Sequence, residues 1–151
     1  HVPGRTGQRL PAEQLANLAN LNGVVAVKEA TGDVHFGSEV IRRTEAAVLS
    51  GDDFTFYPLL CVGGSGVVSV VSNVDPIRTV QLYEAAIAGN LARAVELHQG
   101  LMDLVEYLFA DTNPVPCKAA MAAMGLCESR VRLPLVSGAP PAEELLTGVS
   151  S

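Results

Sequence analysis

The sequence predicts an α/β fold built on a parallel sheet, and three observations carry that expectation. Short apolar runs alternate with helical segments between residues 11 and 71. The runs Gly23-Val24-Val25-Ala26-Val27, Ala46-Ala47-Val48-Leu49 and Gly66-Val67-Val68-Ser69-Val70-Val71 are rich in β-branched residues and apolar on both faces. That pattern fits strands covered by helices or by a barrel interior. Each run is also bounded by Gly, Ser, Asn or Asp, the residues that end strands.

The elements follow in order. Residues 11–20 carry a helix signature, with Pro11 in the first turn and Leu15 and Leu18 three apart. The strand at 23–28 comes next, and residues 34–44 offer a partial apolar helical face through Val34, Val40 and Ile41. The second strand is followed by Ser50-Gly51-Asp52-Asp53, with Asp53 placed as N-cap of an apolar helix over 53–62. Gly63-Gly64-Ser65-Gly66 precedes the third strand. It lacks the strand-to-helix setting of a phosphate loop, so a tight turn with close backbone approach accounts for it. After residue 74 the alternation stops. Asp75-Pro76 opens a helix to about Ala88, and Gly89-Asn90 ends it and caps a long amphipathic helix to about Ala110. Asn113-Pro114-Val115-Pro116 breaks that helix, and Pro116 starts a short one ended by Gly125. Residues 126–139 are irregular, and a last short helix runs from Pro141 to about Leu146. The expected division is therefore 1–74, sheet and helices, and 75–151, helices only.

A chain of 151 residues that is 48% hydrophobic and 17% charged forms one domain with a substantial core rather than a disordered segment. The net charge of −6 and the absence of a basic cluster argue against a nucleic-acid partner. No apolar stretch reaches the ~18 residues of a membrane span. No charged-then-apolar leader is visible. Cys61, Cys117 and Cys127 form no CxxC pair and are expected to be reduced core residues of a cytoplasmic protein. The opening His1-Val2-Pro3-Gly4-Arg5-Thr6-Gly7 has the character of a loop inside a protein, so the chain is expected to be a piece of something longer. His1 itself is unconstrained on this view, and His35 and His98 receive no role.

Lys28 is the only lysine in the first 117 residues, and it stands at the end of an apolar strand. Burial lowers a lysine's pKa and makes its amine available as a nucleophile. The alternative is a lysine that snorkels out at the strand end or pairs with a neighbouring carboxylate. In parallel α/β folds chemistry gathers at the C-terminal ends of strands. Lys28, the Ser50-Gly51-Asp52-Asp53 turn and the Ser69–Asn73 segment are therefore expected to converge. Asp52 and Asp53 lack a histidine at ligand spacing, and no metal is expected there. Arg5 has a guanidinium suited to bidentate carboxylate binding, or is simply a surface arginine. An amine nucleophile and a carboxylate clamp together suit imine chemistry on a keto acid.

Five ordered segments carry a family resemblance. They are Val2-Pro3-Gly4-Arg5-Thr6-Gly7, Val27-Lys28-Glu29-Ala30-Thr31-Gly32, Leu49-Ser50-Gly51-Asp52-Asp53, Gly63-Gly64-Ser65-Gly66-Val67-Val68-Ser69-Val70 and Asn113-Pro114-Val115-Pro116-Cys117-Lys118. In order and spacing the chain resembles the C-terminal half of the dihydrodipicolinate synthase family. The resemblance implies the C-terminal portion of a (β/α)8 TIM barrel, about three and a half βα units, followed by a C-terminal helical region. It implies a class I lyase that condenses pyruvate with aspartate semialdehyde in lysine and diaminopimelate biosynthesis, without a cofactor. Lys28 would form the Schiff base with pyruvate, and Arg5 would hold the semialdehyde carboxylate. Gly51 and Val68 would line the pyruvate site. Arg5 favours this activity over sister 2-oxo acid aldolases such as sialic acid lyase. The family's catalytic tyrosine would immediately precede His1. It is absent from this chain, as are the earlier βα units with their proton-relay threonine and the usual site of lysine feedback. The expected partners are further copies in a homo-oligomer, commonly a tetramer, or a complementary N-terminal half. A non-catalytic half-barrel with only an association role is the third expectation.

Strands without their neighbours expose backbone edges and apolar side chains. The chain expressed alone should aggregate or pair with a complementary half. A soluble, well-folded monomer in analytical ultracentrifugation would count against this.

Overall fold

In the computed structural model, which describes residues 1–149, three short strands pair in parallel in the order β1-β2-β3. They are β1 (Ala26–Glu29), β2 (Ala47–Ser50) and β3 (Gly66–Val67). The register sets Val27 against Val48, Lys28 against Leu49, and Leu49 against Gly66. Helices precede and link the strands: α1 (Pro3–Thr6), α2 (Ala12–Ala19), α3 (Val34–Ile41) and α4 (Phe56–Cys61). Beyond a 3-10 turn at Val71–Asn73 lie α5 (Pro76–Ile87), α6 (Leu91–Phe109), α7 (Val115–Ala123) and α8 (Glu143–Leu146). The α/β class and the parallel sheet expected from the sequence are both present.

The chain packs as two units, the first made of His1–Ser69 with Ala86–Gly89. Its core joins Leu15 of α2, Phe36 and Val40 of α3, Leu59 of α4 and Val48 of β2, with Val27 of β1 packed against them. Helices α2, α3 and α4 therefore cover one face of the sheet, the face of Val27 and Val48. The pleat sends alternate residues to the other face. The turn before β3 is tight because Gly64 donates its N–H to Leu59 O at 2.8 Å, and a Cβ at 64 would lie 2.8 Å from that same oxygen.

The second unit comprises Val70–Ala85 and the described residues from Asn90 onward. Helix α6 buries Ala94, Leu97, Leu101, Leu104, Val105 and Leu108 in a stripe of 3.6-residue period, while Leu91 and Val95, apolar at the same helical spacing in the sequence, are exposed. The 3-10 turn packs on α6 and α7. Asp75 caps α5: its Oδ1 accepts from Arg78 N–H at 3.0 Å and its Oδ2 binds the Arg78 guanidinium. Asn90 caps α6 by accepting from Arg93 N–H at 3.2 Å. Tyr107 OH donates to the carbonyls of Pro116 and Ala139, at 3.3 and 2.9 Å, and ties the irregular 126–139 stretch to this unit.

The structure corrects several expectations. The third strand ends after Val67, because the chain turns into the 3-10 turn where strand had been expected through Val71. The first strand begins at Ala26 rather than Gly23 and is not buried on both faces: Ala26, on the same face as Lys28, is exposed, and Val25, just before the strand, is 81% exposed. The Val2–Gly7 segment holds one helical turn closed by Gly7 rather than plain loop. Thr55, not Asp53, occupies the N-cap position of α4. Cys117 is buried, but Cys61 and Cys127 are exposed and so are not core residues. Among the described residues no helix is long and apolar enough to cross a membrane.

Asp75 is 1% exposed, so removing its carboxylate costs both a helix cap and the partner of a charged side chain. Asp75→Ala should destabilise the second unit by about 1–3 kcal/mol in urea unfolding.

Candidate functional site

Lys28 stands at the C-terminal end of β1 and is half-buried. Its register partner is Leu49, and the pleat puts both on the face opposite the helix-packed core. Gly51 lies two residues beyond Leu49 and shares that face. A Cβ built on Gly51 would sit 2.7 Å from Lys28 Cε and 2.4 Å from Ala30 Cβ. The lysine stem thus occupies the volume that any side chain at 51 would need. Val68 follows β3 directly, and its N–H donates to Ser50 O at 2.7 Å, continuing the ladder. Two residues beyond Gly66, it falls on the same face as Leu49, and it is 43% exposed. Lys28, Gly51 and Val68 therefore share one sheet face at the ends of three adjacent strands.

Glu29 follows Lys28 and points the other way. Its carboxylate is buried beside Gly37 of α3, where Oε1 accepts from Thr31 N–H at 2.7 Å. Burial pushes its pKa up from 4.5, against the hydrogen bonds from Thr31, which lower it. The neighbouring carboxylate is thus not a partner for the lysine. Among the described residues Lys28 Nζ makes no hydrogen bond or ion pair, which leaves the amine available on the open face.

Ser50 is fully buried between the strand and the turn that follows. Its Oγ donates to Asp52 O at 2.7 Å and lies 3.0 Å from Thr55 Oγ1. Asp52 Oδ1 accepts from Phe54 N–H at 2.8 Å. These bonds fix the turn that carries Gly51 against Lys28.

Arg5 lies on α1 and is exposed. The start of that segment is tied to β1: His1 N donates to Lys28 O at 2.8 Å, and Ala30 N–H donates to His1 O at 3.0 Å. Bonds to residues 28 and 30 from one residue follow the parallel-ladder pattern, on the edge of β1 away from β2. The histidine regarded as unconstrained in the sequence is therefore firmly held. Its side chain is 4% exposed, and its ring stacks on Phe36 at 5.4 Å. The signal that would have revealed this was the polar Glu29 in the apolar context of β1.

A groove of about 790 Å3 in the second unit is lined by Lys118, Arg130, Arg132 and Leu135 among others, and holds none of the predicted residues.

The chain as a whole matches known proteins. The model of the dihydrodipicolinate synthetase family matches residues 1–146. The chain belongs to the dihydrodipicolinate synthetase family. It is 49% identical over 138 residues to the 4-hydroxy-tetrahydrodipicolinate synthase of Methanoculleus marisnigri, covering 89% of this chain and 47% of that protein. The Thermotoga neapolitana enzyme of the same name is 46% identical over 156 residues, covering 99% of this chain and 53% of its own length. The solved dihydrodipicolinate synthase of Thermotoga maritima superposes with a TM-score of 0.87 at 41% identity, over 97% of this chain and 50% of that one. The chain spans about half the length of the relatives it matches.

Because Gly51 faces both Lys28 and Ala30, Gly51→Ala should displace the lysine stem. Overpacking of that kind costs about 1–3 kcal/mol, measurable by denaturant unfolding. An unchanged stability with an unmoved Lys28 would show that the contact is slack.

Proposed function

We propose that this chain supplies the imine-forming part of a 4-hydroxy-tetrahydrodipicolinate synthase, a lyase that joins pyruvate to aspartate semialdehyde. The observation that carries the reading is Lys28 on the open sheet face, its stem seated against Gly51 and its Nζ uncommitted. The names of the relatives supply the reaction, and the five matched segments supply the roles.

Lys28 Nζ attacks the keto carbon of pyruvate, and loss of water leaves an imine. Loss of a methyl proton to a base converts the protonated imine to an enamine, whose carbon attacks the aldehyde carbon of the second substrate; the aldehyde oxygen takes up a proton, and the imine that re-forms is displaced by water or by the semialdehyde's own amino group, which frees the Lys28 amine. The amine attacks only when it reaches the substrate unpaired, and the protonated imine it forms is then the electron sink; the Gly51 contact seats the lysine stem for that attack. Arg5 binds the carboxylate of the semialdehyde through two parallel N–H donors. Gly51 and Val68 line the pyruvate side of the face.

The three strands are read as part of a (β/α)8 barrel, with residues 1–74 contributing barrel and the chain from 75 onward forming the C-terminal helical region. The ladder bonds of His1 on the outer edge of β1 support this, since they follow the pattern of a parallel neighbour on that edge. The partners on this reading are a complementary N-terminal half or further copies of the protein. A sister 2-oxo acid lyase would use the same lysine, but Arg5 favours an acceptor that carries an acid.

Borohydride reduction in the presence of pyruvate should add a pyruvyl mass to the peptide containing Lys28, and Lys28→Ala should abolish it. An unmodified peptide from folded protein would overturn the reading. Turnover with aspartate semialdehyde, compared with aldehydes lacking the acid, separates this synthase from its sister enzymes.

A further inference from the structure

We infer that His1 and Glu29 form a positioning pair that fixes the Arg5 segment against the strand carrying Lys28. His1 Nε2 accepts the N–H of Leu10 at 3.1 Å. An amide N–H can be accepted only by a ring nitrogen with its lone pair free, so the neutral ring carries its proton on Nδ1. Nδ1 is buried, has no hydrogen-bond partner and lies 3.6 Å from Glu29 Oε1. The two side chains are 4% and 3% exposed.

Glu29 thereby selects the tautomer. With the proton on Nε2, the ring would point an N–H at the Leu10 N–H, and the carboxylate would face a lone pair. With the proton on Nδ1, both contacts are favourable, and a small approach converts the 3.6 Å contact into a charge-assisted hydrogen bond. The same Oε1 accepts from Thr31 N–H at 2.7 Å, which holds the carboxylate in place. The cations that act on the Glu29 carboxylate are the amino terminus of His1 and Arg9, whose guanidinium lies over the Phe36 ring at 5.1 Å and binds Asp33 at 2.8 Å.

The consequence falls on Arg5. His1 is pinned to β1 through its backbone and to Leu10 through Nε2, so it closes the 1–10 loop from both ends. Arg5 sits midway, on a helical turn closed by its own N–H donating to Val2 O at 2.9 Å. Its placement relative to Lys28 thus depends on the ring contact that Glu29 enforces. This functional consequence rests on the imine reading, whereas the pair itself rests on geometry alone.

Nitrogen-15 NMR of the histidine rings in the full chain tests the pair directly. The His1 ring should be protonated on Nδ1 near neutral pH, should lose that preference in Glu29→Leu, and should keep it in Glu29→Gln, whose amide oxygen can still accept. An Nε2-protonated ring in the unsubstituted chain overturns the inference whether or not any variant folds. For the functional arm, pyruvate is trapped on Lys28 with borohydride while aspartate semialdehyde is titrated in. Glu29→Leu should leave trapping by pyruvate alone unchanged and raise the semialdehyde needed to deplete the adduct about tenfold, the loss of one charge-assisted contact. Glu29→Gln should restore the original titration. Equal losses in both measurements would reduce the pair to a fold-stabilising role and overturn the proposal. Absence of any adduct in the unsubstituted chain would instead defeat the imine reading, and the ring tautomer would still decide the pair.

Discussion

The site depends on one constraint, the parallel register that aligns Lys28 with Leu49 and Leu49 with Gly66. With a side-chain period of two, this register fixes which residues meet the helices and which do not. Val27 and Val48 go to the core under α2, α3 and α4. Lys28, Gly51 and Val68 are left on the opposite face. A slip of one residue would bury the lysine among Leu15, Phe36 and Leu59, and would turn Glu29 and Ser50 away from the bonds that satisfy them. The hydrophobic core and the placement of the amine are therefore the same structural decision.

The pleat also separates two groups that are adjacent in sequence. Lys28 and Glu29 would form an ion pair if their side chains faced the same way. They do not, so the carboxylate is spent on the Thr31 N–H and on the space beside His1, while Nζ remains open. Gly51 completes this arrangement by omission. The room its missing side chain leaves holds the lysine stem, so a long flexible side chain gains a wall at the price of one Cβ.

Much of this was legible in the sequence. The alternation of apolar runs with helical segments gave the parallel sheet, and the Asp75 and Asn90 caps marked α5 and α6 because capping is local chemistry. Lys28, with Gly51 beside it, was visible as a polar residue at the end of an apolar run. What escaped were properties set by the sheet as a whole. The apolar run through Val71 looked like strand, but β3 ends at Val67 and Val71 is buried in the 3-10 turn instead. A short apolar run cannot say whether a strand, a turn or a helix face buries it. The exposure of Ala26 depends on helices covering only one face of β1, which no local pattern encodes.

The hardest residue to read was His1, because its partners lie far along the chain at Leu10, Lys28, Glu29, Ala30 and Phe36. Its sequence neighbours, Val2 and Pro3, say nothing of them. Yet the reason for a buried carboxylate next to Lys28 follows from those contacts. A glutamate pushed towards its neutral form by burial is costly in a strand and invites replacement by an apolar residue unless it does something a leucine cannot. Here it faces the one ring nitrogen that lacks a partner and leaves the other free to accept an amide. The core face of β1 thus holds the loop bearing Arg5, while its open face presents Lys28. A single strand of four residues in this way presents Lys28 on one face and holds the Arg5 loop with the other.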